Sequence, residues 1–113
     1  MTEEEWLDGL RHLSHDQILN AHFSLQEQIR KHYKLRADPK HLKKAIALCE
    51  QQIALSPLTL EALKSNPAMY SNGEFHYPAH HGYRQYAVIL RRQKDFDKLE
   101  KIEHKRKTEG WSD

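Results

Sequence analysis

His81-Gly82-Tyr83-Arg84-Gln85-Tyr86-Ala87-Val88-Ile89-Leu90-Arg91-Arg92-Gln93-Lys94-Asp95-Phe96-Asp97-Lys98-Leu99-Glu100-Lys101-Ile102 is the stretch that decides the fold. Tyr83, Tyr86, Ala87 and Leu90 recur at three- and four-residue steps, which places them on one face of a helix. Phe96, Leu99 and Ile102 do the same after a short polar corner. Two amphipathic helices joined this way predict an antiparallel helical hairpin, with all three of these later residues facing inward. Gly110 is placed to end the second helix, and Trp111 to fold back onto it.

Working back toward the N-terminus, the chain carries repeated helix-start signals. Thr2-Glu3-Glu4-Glu5 and Ser14-His15-Asp16-Gln17 both have the capping-box pattern, a hydroxyl followed three residues later by a carboxylate or amide. The first opens a short helix with Trp6, Leu7 and Leu10 as its apolar contacts. The second opens a long helix, about 15–35, with Ile18, His22, Leu25, Ile29 and Tyr33 as its buried stripe and Phe23 beside it. Asp38-Pro39 stops that helix and caps the next, because proline disfavours helical geometry in the residue before it and suits a first turn itself. Leu42, Ala45, Ile46, Cys49 and Ile53 mark its inner face. Ser56-Pro57 has the same form and predicts a second break near Leu55, followed by a short helix with Leu60 and Leu63 inward. Residues 65–79 are rich in turn formers and read as irregular, with Met69, Tyr70, Phe75 and Tyr77 folding the loop over the helices. No strand alternation is evident.

At 113 residues the chain forms one domain, 1–113. Its parts are an N-terminal helix (1–13), a first hairpin (14–56), a short helix and loop (57–79) and a second hairpin (80–111). Charged residues make up 30% and hydrophobic ones 38%, so the core is lean. No apolar run reaches membrane-spanning length. The N-terminus is acidic (Glu3, Glu4, Glu5, Asp8), unlike a targeting signal, which leaves the cytoplasm as the expected compartment. The single cysteine, Cys49, reads as a small core residue. The net charge of +2 hides an acidic front, residues 1–27, and a basic remainder, which favours an anionic partner.

A shift of about 54 residues lays Leu99 on Ala45, Phe96 on Leu42, Tyr83 on Ile29 and Ala87 on Tyr33. Tyr83, Tyr86, Ala87, Leu90 and Phe96, together with Ala45 and Pro57, resemble the tetratricopeptide-repeat (TPR) pattern of large, small, aromatic and closing-proline positions. The period departs from the family's 34 residues. The corner glycine is replaced by Lys94, and Leu99 fills a position that is small in the family. The hairpin also looks like one carried by small bacterial proteins with a Gly-Tyr start and a Gly-Trp end. The resemblance implies an all-α fold of about six helices, with antiparallel hairpins stacked as a short right-handed superhelical array. It implies a concave groove lined by the first helix of each hairpin, here facing Arg30, Lys34, His81, Arg84, Val88 and Arg91.

Guanidinium groups grip carboxylates at two points, so such a groove suits a protein or acidic peptide, bound without a covalent step. The exposed edges of a short stack also favour self-association. The alternative is a nucleic-acid-associated role for the last helix, where Lys98, Lys101 and Lys105 share a face beside Arg106 and Lys107. The chemistry of an enzyme is missing. Cys49 has no base at hand, there is no phosphate-binding glycine loop, and no serine sits in a nucleophile turn. His76, His80 and His81 are the densest of nine histidines, yet no cysteine or carboxylate pair completes a ligand set. No catalytic residue, metal or cofactor is expected. Glu100 and Glu103 read as partners of Lys98 and Lys107.

Overall fold

The computed structural model describes residues 2–112, without the side chain of Glu3, one of the N-terminal acids counted above. Five α-helices follow in order: α1 (Glu3–Leu10), α2 (His15–Lys34), α3 (Pro39–Lys64), α4 (His81–Gln93) and α5 (Phe96–Glu109). The all-α expectation holds, with five helices in place of six. Each start is built as its sequence dictates. The Thr2 hydroxyl accepts the Glu5 amide, Ser14 and Gln17 form a reciprocal capping box, and the Asp38 carboxylate accepts the Lys40 amide at 2.9 Å.

The sixth helix is missing because α3 does not break at Ser56-Pro57. A helical proline removes one donor, leaving the carbonyl four residues earlier without its partner. Here that carbonyl belongs to Ile53, and the Ser56 hydroxyl donates to it at 2.6 Å. The buried serine supplies the hydrogen bond that Pro57 cannot. The first hairpin therefore runs from His15 to Lys64, joined by residues 35–38.

The connection from α3 to α4 is more ordered than its composition suggests. A 3-10 turn (Pro67–Met69) leads into β1 (Tyr70–Ser71) and β2 (Glu74–Phe75), an antiparallel pair. Asn72 and Gly73 between them have φ of +53° and +81°, the two left-handed residues that a tight hairpin requires. The Tyr70 hydroxyl donates to the Lys64 carbonyl, and the Lys64 ammonium lies over the Phe75 and Tyr77 rings. The loop is thus pinned to the end of α3, as its aromatic residues implied.

The main core gathers Ile29, Leu48, Cys49, Ile53, Tyr83, Tyr86, Ala87, Leu90, Ile102 and Trp111 from four helices and the C-terminal segment. A smaller core joins Leu7 and Ile18 to Leu55, Leu58 and Ala62, fixing α1 to the later half of α3. Cys49 is fully buried as expected, and burial pushes its thiol up to about 12. Phe96 departs from its expected place. It is 61% exposed at the first position of α5, while Leu99 and Ile102 turn inward. The corner before it is closed by Lys94 in the left-handed conformation, φ +59°, and the Asp95 side chain caps α5.

Ser56→Ala should lower stability by about 1–3 kcal/mol, since it strands a buried carbonyl. In a Pro57→Ala background the same change should cost less, because the restored amide at position 57 reaches the Ile53 carbonyl. Urea unfolding of the four proteins in this cycle checks both statements, and equal losses in the two backgrounds would refute the compensation.

Candidate functional site

Arg84, Val88 and Arg91 follow one another at four- and three-residue steps, so α4 presents them on one exposed face. Opposite them α5 contributes Glu103 and Arg106. Together with Ala87 these residues line a cleft of about 230 Å³. Val88 lies partly open between the two arginines, an apolar contact flanked by cations. The Arg106 guanidinium is held from behind, donating to the Trp111 carbonyl at 2.7 Å and to the Glu103 carboxylate at 3.2 Å.

His81, at the start of α4, extends this face toward α2. Burial holds its imidazole below the usual range, and the positive charges of Arg30 and Arg84 add to the effect, with Glu27 opposing. Arg30, His81 and Arg84 are therefore electrostatic neighbours, and Arg30 is itself paired with Glu27 at 2.9 Å. Of the six residues expected in the groove, Arg84, Val88 and Arg91 line the cleft, whereas Arg30 and His81 do not. Lys34, the exposed last residue of α2, is not among the side chains that line the cleft. Glu103 and Arg106 were not foreseen as part of it. They reach it from the helix whose basic stripe was the alternative nucleic-acid surface.

That stripe divides in the structure. Arg106 is buried and bonded as described. Lys105 donates to Glu109 at 2.7 Å and to the Tyr83 hydroxyl at 3.1 Å. Glu103 pairs with Arg106 and not with a lysine. The outer face of α5, with a concavity of about 780 Å³, mixes Asp97, Glu100 and Glu103 with Lys101, His104 and Lys107, and has no net preference for an anion.

Two further polar clusters hold chemistry-bearing residues, the first at the edge of the core with Lys105 and Glu109 partly exposed, the second buried. In the first, the Glu109 carboxylate accepts from Tyr83 (2.6 Å), Trp111 Nε1 (3.1 Å) and Lys105, and lies 2.8 Å from the Ser56 hydroxyl, whose single proton is shared between it and the closer Ile53 carbonyl. Ser56 and Tyr83 are fully buried. In the second, His80 caps α4. Its Nδ1 accepts the Tyr83 amide at 3.2 Å, which leaves Nε2 as donor to the Gln52 carbonyl at 3.3 Å. Gln52 Nε2 donates to the His22 carbonyl at 3.0 Å. A Cβ on Gly82 would come within 2.6 Å of Gln52 Oε1 and 3.0 Å of the His80 ring, so a side chain there would displace the Gln52 amide. The Trp111 ring stacks parallel to His22 and edge-on to His80. His76, by contrast, is exposed. Among the described residues no three His, Cys, Asp or Glu side chains gather in a metal-binding arrangement.

Burial lowers the His22 imidazole to about 4 and that of His80, which His22 further depresses, to about 3. Both rings are neutral in the folded protein and take up protons more readily when unfolded. Their contribution is complete above the ordinary histidine value of 6.5 and is lost as pH falls toward 4 and 3. Between pH 6.5 and 5, unfolding free energy should fall by about 1.5 kcal/mol per ring. His22→Gln should remove about half of that fall. Urea titrations at the two pH values check this, and an unchanged slope in the variant would exclude His22 as a source.

Compared with known proteins, the chain matches no family model, no curated protein and no solved structure.

Proposed function

We propose that this protein is a non-enzymatic adaptor that binds an acidic protein segment along the exposed face of α4. The observation that carries the reading is the juxtaposition of Arg84, Val88 and Arg91 across a cleft from Arg106. Three guanidiniums against one paired carboxylate leave this strip positive. Guanidiniums hold carboxylates with two parallel hydrogen bonds, and Val88 offers an apolar contact between the charged positions. A short extended or helical peptide bearing acids around one apolar side chain has the matching chemistry. Binding proceeds by shape and charge, with no covalent step and no cofactor.

The arrangement is that of a short TPR-like stack working in the cytoplasm, with α2–α3 and α4–α5 as its hairpins. Consecutive helices packing on one another supports this reading. So does the placement of Arg30 and Arg84 on the first helix of each hairpin, the helix that lines the groove in that family. A second copy is one candidate partner, since the N-terminal helix carries Glu4, Glu5 and Asp8 on exposed positions. The nucleic-acid reading is weaker, because Arg106 and Lys105 are already engaged within the chain.

Arg84→Glu reverses an exposed charge at the centre of the strip and should leave the fold intact. A fluorescein-labelled peptide of glutamates flanking a leucine should bind the wild-type protein and lose at least about tenfold in affinity with the variant, measured by anisotropy. Unchanged affinity would remove this face as the site. Affinity enrichment from extract with and without nuclease distinguishes the nucleic-acid reading, in which recovery disappears on nuclease treatment.

A further inference from the structure

α3 and α5 both pack against α4, and a second cleft of about 300 Å³ lies between them, apart from the arginine strip. Its apolar wall is Ile53 and Ala54 from α3, Tyr86 from α4 and Ile102 from α5. Ile53, Tyr86 and Ile102 are core residues whose outward edges line the cleft. The rim is cationic. Lys98, Lys101 and Lys105, one helical face of α5, stand along it against a single acid, Glu50. Lys105 is neutralised by Glu109, whereas the Lys98 ammonium lies beside the Tyr86 hydroxyl. Lys98, Lys101 and the Tyr86 hydroxyl thus form a donor cluster at the edge of an apolar slot.

We propose that this cleft binds a single-chain anionic amphiphile, a fatty carboxylate, with its chain along Ile53, Ala54 and Ile102 and its carboxylate against Lys98, Lys101 and Tyr86. Size decides between a small molecule and a docked helix. The volume is at the lower end of small-molecule sites. A stable protein contact needs about 800 Å² from each partner, which eight lining residues do not provide. Charge decides the head group, because a cationic or neutral head would leave the lysine rim unanswered. The lysine face read from sequence as a track for phosphates is, in the folded protein, the rim of this slot.

The test is isothermal titration of the full chain with octanoate, decanoate and dodecanoate below their micelle concentrations, with dodecyltrimethylammonium as the cationic counterpart. One carboxylate should bind per chain, with affinity rising roughly three- to fourfold per methylene while the slot still covers the added carbon. The cationic amphiphile should bind at least tenfold more weakly. Lys101→Glu should weaken dodecanoate at least fivefold, and Ala54→Trp, which fills the slot, should abolish saturable binding. Circular dichroism establishes that each variant is folded. Should Ala54→Trp fail that check, the exposed Lys101→Glu variant decides alone. Equal binding of the two head groups, affinity indifferent to chain length, or dodecanoate affinity unchanged in Lys101→Glu would overturn the proposal. The acidic peptide probe should bind both variants as it binds the wild type, so the two clefts succeed or fail separately.

Discussion

Glu109 holds a carboxylate at the edge of the core, and three helices are arranged so that its oxygens meet donors. Tyr83 comes from α4, Lys105 from the preceding turn of α5 and Trp111 from the segment beyond it, while the Ser56 hydroxyl of α3 shares its one proton between this carboxylate and the Ile53 carbonyl. Charge-assisted hydrogen bonds are about twice as strong as neutral ones, and removing one partner from a desolvated carboxylate is costly. The cluster therefore fixes which turn of α5 lies against α3 and α4. The fold has little else with which to set that register, since α5 is the least apolar of the helices and contributes few side chains to the core.

The C-terminal segment extends the same logic. Gly110 turns the chain at φ +97°, and Trp111 packs against the contacting rings of His22 and His80. Ser112 then bridges to the backbone beside Ala79, where its amide donates to the Pro78 carbonyl. One buried indole thus touches α2 and the start of α4, and also donates to the carboxylate that α3 and α5 share. The His80 cap makes the start of α4 depend on α3 as well, because the ring that receives the Tyr83 amide is oriented by the Gln52 carbonyl. Apart from Gln52 Oε1, which has no hydrogen-bond partner, the polar atoms of this cluster are partnered across the chain, which is the condition under which a lean apolar core tolerates them.

Where structure followed local rules, the sequence was legible. The caps at Thr2, Ser14 and Asp38, the inward faces of α2 and α4, and the Gly110-Trp111 closure all depend on residues within one or two turns of each other. The misreadings have equally physical causes. Ser56-Pro57 looked like Asp38-Pro39, but a serine can return its hydroxyl to the helix three residues back, and here it does. The Asn72-Gly73 pair was a readable hairpin signal, obscured because only two residues on either side form strands. Phe96 sits on the right face by periodicity, yet at the first residue of α5 no neighbour reaches it. In the candidate cleft, the spacing of Arg84, Val88 and Arg91 was visible, whereas Glu103 and Arg106 join it only through tertiary packing. The Glu109 cluster spans up to 53 residues of chain and left no local signal.

An unbroken α3 also makes the molecule stiff. Its 26 residues measure about 39 Å at 1.5 Å per residue, close to the longest molecular dimension of 43 Å. The smaller core with α1 sits on its later half, and the main core spreads along its length. A break at position 57 would have been a hinge between them. With the serine filling the gap, a load applied at α1 is carried to α4 and α5 by a single rod. The two faces of the protein are thereby held at a fixed separation, as on a strut and not a clasp.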